Sequence, residues 1–286
     1  MTDRAKRNEI FSSSDDTTPE KAIQKQDVTK DEFGWEVPVS SVPVPSQGKV
    51  YPVNTALHGV DTLDIKAMTA HEEDILTSRA LIKKGMVISY LIKSCLIDKT
   101  IDVDNLLVGD RNALMISIRI TGYGSDYGAK VTCPECDHTS PQRFNLTDLE
   151  IKRLEIDPVS PGENIFSFEL PVTKKVVNFR FLTGKDEKEM NTTLERRKKM
   201  FPDQKLDSVV TSQLENAIIS IDGITDKNKI NSFIKNMPAF DSRKLRDYID
   251  SNEPGIDMSV WMDCPSCDAT SRVSLPIGSE FFWPRS

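Results

Sequence analysis

The second half of the sequence resembles the first, and this internal similarity constrains the fold more than any other feature. Residues 133–140 match residues 264–271 at six of eight positions, and both segments begin with Cys-Pro-x-Cys. Asp110 precedes the first of these motifs by the same interval at which Asp241 precedes the second. Residues 65–73 and 179–187 form the third matched pair. Each of these segments is a strand-like run followed by a threonine and two acidic positions. Three matched blocks in the same order predict a duplicated unit of strand, helices and cysteine knuckle.

This duplication also predicts how the two halves are arranged. Two copies are too few to stack as a solenoid, so a pseudo-twofold pair is the economical arrangement. Short strands around clusters of helices are typical of the α+β class. We therefore expect an α+β fold in which two pseudo-symmetric strand–helices–knuckle repeats share one four-cysteine site, with an extended arm before them.

The chain is predicted to divide into five segments. Residues 1–36 are polar and mixed in charge, which predicts a disordered tail. The next segment, residues 37–61, is rich in proline in its first part and is predicted to be an extended arm. Repeat A with its knuckle is expected at residues 62–150, a linker and hairpin at residues 151–176, and repeat B with its knuckle at residues 177–286.

Repeat A is expected to open with a strand and a helix. Apolar and polar residues alternate from Leu63 to Met68, which predicts a strand and places the start of the folded region near this point. Thr69 followed by Glu72 is typical of a capping box at a helix start. The helix is expected to run to Lys84, because Gly85 is unfavourable in a helix interior.

Further elements follow from similar patterns. A second helix is expected from Met86 to about Ile97, and a third is expected to be capped by Asp110 and ended by Gly122 and Gly124. In the second half, alternating phenylalanines and valines on both sides of residues 172–175 predict a β-hairpin.

Each Cys-Pro-x-Cys motif brings two thiolates within reach of a single metal ion. Structural zinc takes four ligands in a tetrahedron, so two knuckles supply one closed site. The predicted ligands of one structural Zn²⁺ per chain are Cys133, Cys136, Cys264 and Cys267. The long stretch of chain between the two knuckles suits a site that staples two half-domains together. A closed Cys₄ site has no open position, so it is expected to be structural rather than catalytic.

Two other interpretations of these cysteines remain open. A thioredoxin-type redox pair uses the same spacing, although here a proline follows the first cysteine and the βαβ context is missing. Two disulfides would require an oxidising compartment, whereas the N-terminus lacks the apolar region of a signal peptide. Cys95 is interpreted as a small core residue and His138 as a solvated loop residue.

Charge and motifs exclude several function classes. The chain has 44 acidic and 37 basic residues, a net charge of −7, which argues against a nucleic-acid binder. No apolar run approaches the length of a membrane-spanning helix. The sequence contains no phosphate-binding loop, no dinucleotide-binding glycine motif, no HExxH and no GxSxG. We therefore expect a protein that is not an enzyme and that works in the cytoplasm by binding other proteins.

Several blocks, taken in order, resemble the T4-type bacteriophage baseplate protein family. Residues 44–51 read Val-Pro-Ser-Gln-Gly-Lys-Val-Tyr and are similar to that family's Leu-Pro-Ser-x-Gly-x-x-Tyr arm, with Val44 in the leucine position. The resemblance is best between residues 42 and 150. Its other blocks are residues 65–73, 84–95, 102–111 and 122–127, followed by the first knuckle.

This resemblance implies a baseplate hub subunit, or a factor that helps to assemble the hub, in a contractile-tailed phage. The implied partners are other hub proteins and the tape-measure protein, with Pro45, Ser46, Gly48 and Tyr51 as partner-binding residues. Nucleic acid and membrane are not expected as partners, and no motif specifies an oligomeric state. The implied location is the host cytoplasm during assembly and, for a resident subunit, the virion baseplate. Two alternatives are a transient assembly chaperone for the tape-measure protein and a zinc-ribbon factor associated with nucleic acid.

Overall fold

The computed structural model describes residues 27–30, 36–200, 209–277 and 279–282. The strands in these ranges are β1 (Asp27–Lys30), β2 (Glu36–Pro43), β3 (Thr62–Lys66), β4 (Asp126–Thr132), β5 (Thr139–Asn145), β6 (Ile151–Lys152), β7 (Phe166–Glu169), β8 (Val176–Phe179), β9 (Ile218–Ile221), β10 (Gly255–Ile256), β11 (Ser259–Asp263) and β12 (Thr270–Ser274). The α-helices are α1 (Ala70–Thr77), α2 (Arg79–Lys83), α3 (Val87–Cys95), α4 (Val108–Tyr123), α5 (Gly184–Met200), α6 (Val209–Ala217), α7 (Lys227–Asn236) and α8 (Ala239–Asn252).

Small antiparallel sheets accompany these helices, which confirms the predicted α+β class. Two sheets have three strands, in the orders β1-β2-β3 and β7-β8-β9. Three sheets are two-stranded pairs, formed by β4 with β5, β6 with β10, and β11 with β12. No helix among the described residues combines the length and the apolar character that crossing a bilayer requires.

One apolar core joins the two halves of the chain. Its buried side chains come from α3 and α4 in the first half and from β7, β8 and α7 in the second. The side chain of Arg119 on α4 is fully buried and donates to the carbonyl oxygens of Phe281, Gly124 and Asp126 at 2.6, 2.7 and 3.1 Å. The bond to Phe281 fastens the turn Ser279–Phe282 to α4, and the other two hold the residues that follow the helix.

The first elements predicted for repeat A are largely present. Residues Thr62–Lys66 form β3, with Leu63 and Ile65 buried. The capping box is confirmed, since the amide of Thr69 donates to Glu72 Oε2 at 2.9 Å. The expectation of one helix to Lys84 was wrong, because the helix breaks at Ser78, whose ψ of 105° is extended. Ser78 ends α1 with its amide donating to the carbonyl of Ile75 at 3.2 Å, and the same residue directly precedes α2.

The third helix also differs from its prediction at its N-terminus. Leu107 is the cap residue of α4, and Asp110 lies in the first helical turn instead of capping it. At the other end, Gly124 follows the last helical residue with a φ of +84°, as a helix-terminating glycine does. Gly122 lies inside the helix. The predicted second-half hairpin is confirmed, since Phe166 pairs with Phe179.

The N-terminal part of the chain is more closely integrated than the sequence indicates. Most of the predicted tail, residues 1–26 and 31–35, lies outside the described residues, but residues 27–30 form β1 and pair with β2. The predicted arm begins with β2, which lies between β1 and β3. The folded region therefore starts before Thr62 and includes β2. Main-chain pairing and buried valines hold the arm against its own chain, because prolines restrict but do not abolish strand pairing at a sheet.

Candidate metal centre

Two β-hairpins present the two cysteine knuckles at their turns. In the first half, β4 pairs with β5 up to Thr132 and Thr139, so the turn comprises residues 133–138. In the second half, β11 pairs with β12 up to Asp263 and Thr270, so the turn comprises residues 264–269. Each hairpin therefore delivers two cysteines from a loop of the same length.

The two turns also share their main-chain geometry. The amide of Cys133 donates to the carbonyl of His138 at 2.9 Å, and the amide of Cys264 donates to the carbonyl of Ala269 at 3.0 Å. Asp137 and Asp268 occupy the same left-handed conformation, with φ of 56° and 55°. Aspartate tolerates this region better than most residues, which explains its presence after the second cysteine of each motif.

The four cysteine sulfurs converge on one point between the hairpins. All four lie within 4.8 Å of one another, and none forms a disulfide. Cys133 Sγ lies 3.8 Å from Cys267 Sγ, and Cys136 Sγ lies 3.6 Å from Cys264 Sγ. A zinc–sulfur distance of about 2.3 Å in a regular tetrahedron gives sulfur–sulfur edges of about 3.8 Å. The cluster therefore has the spacing and the donor set that a thiophilic metal ion requires.

The surroundings of one cysteine in the cluster, Cys264, favour its thiolate form. Cys133 and Cys264 are buried, whereas Cys136 and Cys267 are exposed. Hydrogen bonds from the amides of Ser266 and Cys267 lower the pKa of Cys264 to about 7, in spite of desolvation. A metal ligand must be a thiolate, so these amides favour binding near neutral pH.

Little apolar contact holds the two hairpins together at this point. A small cluster separate from the main core contains Val131, Cys133, Met262 and Cys264. One side-chain hydrogen bond also crosses between the hairpins, from Gln142 Nε2 to the carbonyl of Asp263 at 3.1 Å. A metal bound by all four sulfurs would therefore be the strongest link between the hairpins.

The histidine next to the first motif and the remaining cysteine both lie outside this cluster. His138 is exposed and takes no part in the cluster. Cys95 is fully buried in the main core, where desolvation raises the pKa of its thiol to about 12. Within the described ranges, the four-cysteine group is the one cluster of three or more potential ligands. With four sulfurs on one ion, no coordination position is left for a substrate.

The residues predicted to bind a partner are buried within this chain. Pro45, Ser46, Gly48 and Tyr51 all face its own interior. Asp110 accepts hydrogen bonds from the amide and hydroxyl of Ser46 at 2.9 and 2.6 Å, and a third from the hydroxyl of Tyr51. Burial raises the pKa of Asp110, although these bonds act to lower it. The contacts are intramolecular, and the assignment as partner-binding residues stays a prediction.

Asp241 in the second half corresponds to Asp110 in the first half. Each is a buried aspartate in the first turn of a helix, and each anchors another segment of the chain. The amides of Val172 and Thr173 donate to its two oxygens at 2.7 and 3.0 Å. Burial acts to raise the pKa of Asp241, but these amides outweigh burial and lower it. Neither aspartate was predicted to have this role. The available signal was their equal spacing before the two knuckles.

A second structural parallel lies at the starts of α1 and α5. Thr69 donates through its amide and its hydroxyl to Glu72, at 2.9 and 2.6 Å. Thr183 donates in the same way to Asp186, at 2.9 and 2.7 Å. Each of these acids also pairs with a base on the preceding segment, at 2.7 Å in both halves. The two halves therefore repeat these local contacts as well as the sequence blocks.

Comparison with known proteins identifies one family. The family model described as T4 bacteriophage base plate protein matches residues 40–283, a range that includes both knuckles. No curated protein and no solved structure matches the chain.

Proposed function

The chain belongs to the T4 bacteriophage base plate protein family, and from that premise we propose that it is a structural scaffold of the baseplate hub. In this role it is not an enzyme, and it holds other hub proteins in a fixed arrangement. The family description favours a resident component of the phage tail. The expected partners are other hub proteins and the tape-measure protein.

The proposed scaffold depends on a structural Zn²⁺ that staples the two halves. The observation that carries this proposal is the convergence of four thiols from two hairpins far apart in sequence, at sulfur–sulfur distances of 3.6 and 3.8 Å. Cys133, Cys136, Cys264 and Cys267 would hold the ion. Zinc supplies no redox chemistry, and a closed site offers no Lewis acid to a substrate, so the ion contributes rigidity alone.

The predicted duplication supports the staple. Each half carries a buried aspartate anchor, a threonine–acid contact at a helix start and a knuckle hairpin. A site shared between the two knuckle hairpins fixes these hairpins relative to each other, at a point where apolar packing is sparse. A partner that contacts both halves would then meet a surface of constant shape.

Quantitative mass spectrometry of purified virions tests the resident role. The proposal predicts a small, fixed number of copies per particle, counted against known tail proteins. Absence from virions, with the chain bound to the tape-measure protein in infected-cell lysate, would contradict the resident role and favour an assembly factor. Absence from both would contradict a tail function altogether.

A further inference from the structure

The two halves differ in how they cover the helix that carries their aspartate anchor. In the first half, a long connection, residues 44–61, joins β2 to β3. This connection buries Val50, Tyr51 and Leu57 and places two side-chain hydroxyls on Asp110. In the second half, the corresponding connection between β7 and β8 comprises only residues 170–175.

The short connection starts like the long one but leaves its surroundings uncovered. The amide of Val172 bonds to Asp241 as the amide of Ser46 bonds to Asp110. After that point, residues 170–175 turn directly into β8. Val172, whose amide bonds to Asp241, is exposed, whereas Ser46 and Tyr51, which bond to Asp110, are buried.

Four large apolar side chains are exposed around this short connection. They form what we call the uncovered patch: Val172, Val176, Ile224 and Phe240, with 55, 42, 47 and 53% of their surface exposed. Val172 and Phe240 adjoin Asp241, and Val176 exchanges hydrogen bonds with Asp222, which closely precedes Ile224 in the chain. Exposed apolar side chains grouped around one turn indicate an interaction site more strongly than apolar side chains scattered singly over a surface.

Basic side chains border the uncovered patch. The Lys244 amine lies 5.7 Å from the centre of the Phe240 ring. Lys174 and Arg243 are exposed, and their ion pairs with described carboxylates are long, at 3.9 and 3.8 Å. Exposed ion pairs this long contribute little, so both cations are available to carboxylates of a partner. Lys175 differs, since it is held at 2.7 Å by Asp222.

We propose that the uncovered patch binds an extended, acidic and apolar segment of another baseplate protein, which covers α8 as residues 44–61 cover α4. The apolar side chains of that segment would lie on Phe240 and Val172, and its carboxylates would face Lys174 and Arg243. A second copy of this chain does not suit the site through its own residues 44–61, because Ser46 and Tyr51 of that segment are already bonded to Asp110 within the same chain. This inference rests on the proposed function, since it supplies the scaffold with a specific contact.

Site-specific photo-crosslinking in infected cells tests the proposal. The benzophenone amino acid p-benzoylphenylalanine replaces Phe240 in the full chain, and the matched control carries it at Ile82, which is 55% exposed on the first half. We expect position 240, but not position 82, to crosslink to one segment of a phage tail protein that is rich in apolar and acidic residues. No crosslink from 240, or a crosslink to a second copy of this chain, overturns the proposal.

A binding measurement then separates recognition from proximity. A synthetic peptide of the crosslinked segment is titrated against the purified chain by fluorescence anisotropy. Phe240→Asp and Val172→Asp are each expected to raise the Kd at least tenfold, and Ile82→Asp to leave it unchanged. Equal binding by all variants, each with its Tm checked, overturns the proposal. The copy number in virions tests the proposed function separately, because crosslinking in cells does not require the chain to remain in the particle.

Discussion

The buried carboxylate of Glu72 provides the most quantitative test of the packing described above. Its side chain is fully buried and accepts from Lys66 Nζ at 2.7 Å, Ser94 Oγ at 2.6 Å and both donors of Thr69. Burial acts to raise its pKa, but these four bonds outweigh burial and lower the pKa from 4.5 to about 2. A lowered pKa means that the ionised carboxylate stabilises the folded state.

The size of this contribution follows from the shift. A fall from 4.5 to about 2 corresponds to about 3 kcal/mol. Because the Lys66 side chain is 28% exposed, water screens part of the pair, and we expect Glu72→Gln to lower the free energy of unfolding by about 1–3 kcal/mol at pH 7. The stabilisation is fully present above the unfolded pKa and is lost as the pH falls from about 4.5 towards 2.

Urea denaturation of the variant and the wild type, at a series of pH values from 7 to 3, measures this difference. The gap between the two proteins should shrink as the pH falls through the lower half of that range. The matched control is Asp74→Asn on the exposed side of the same helix, which is expected to change stability by less than about 0.5 kcal/mol. A gap that is constant with pH, or no gap at pH 7, would refute the reasoning.

Three further predictions concern other contacts. Arg119→Leu leaves three carbonyl oxygens without their donor. In urea denaturation it is expected to lower the free energy of unfolding by at least about 3 kcal/mol. A loss below about 1 kcal/mol would contradict this structural role of Arg119. Gly48→Ala places a Cβ 2.3 Å from the carbonyl oxygen of Leu57, whereas a Cβ at Gly59 meets open space. The Gly48 variant should therefore lose far more Tm than Gly59→Ala. Similar losses of Tm in the two variants would argue against close packing of residues 44–61. Cys136→Ser should remove the bound metal, which inductively coupled plasma mass spectrometry measures. A zinc chelator should lower the Tm of the wild type and leave the Tm of this variant unchanged. A chelator effect that persists in the variant would contradict the ligand assignment.

Local patterns in the sequence predicted local structure well. The capping box at Thr69 and the break at Gly85 depend on residues within one helical turn, and both are present. The hairpin around residues 172–175 follows from side-chain alternation on each side of a short turn. The proximity of the four cysteines was predictable because each motif supplies only two of the four ligands that a structural zinc ion requires, and the two motifs together supply all four.

Contacts between distant residues were not predictable in the same way. Residues 37–61 were expected to be an extended arm because of their prolines, yet hydrogen bonds from Ser46 to Asp110, on a helix far along the chain, anchor this segment to the core. Asp110 itself was interpreted as a helix cap, because a single sequence cannot indicate from which distant amide a buried carboxylate will accept a hydrogen bond. The break at Ser78 was not predictable either, because no glycine or proline lies near it and helix propensity is a weak guide at a single residue.

X-ray absorption spectroscopy at the zinc edge, on the purified full chain with its metal content measured, tests the central claim most directly. The claim is that one metal ion joins the two halves of a structural baseplate protein. We predict one zinc ion per chain with four sulfur neighbours at about 2.3 Å. Two zinc ions per chain with two sulfurs each, or a chain purified with disulfides and no stoichiometric metal, would contradict the shared site.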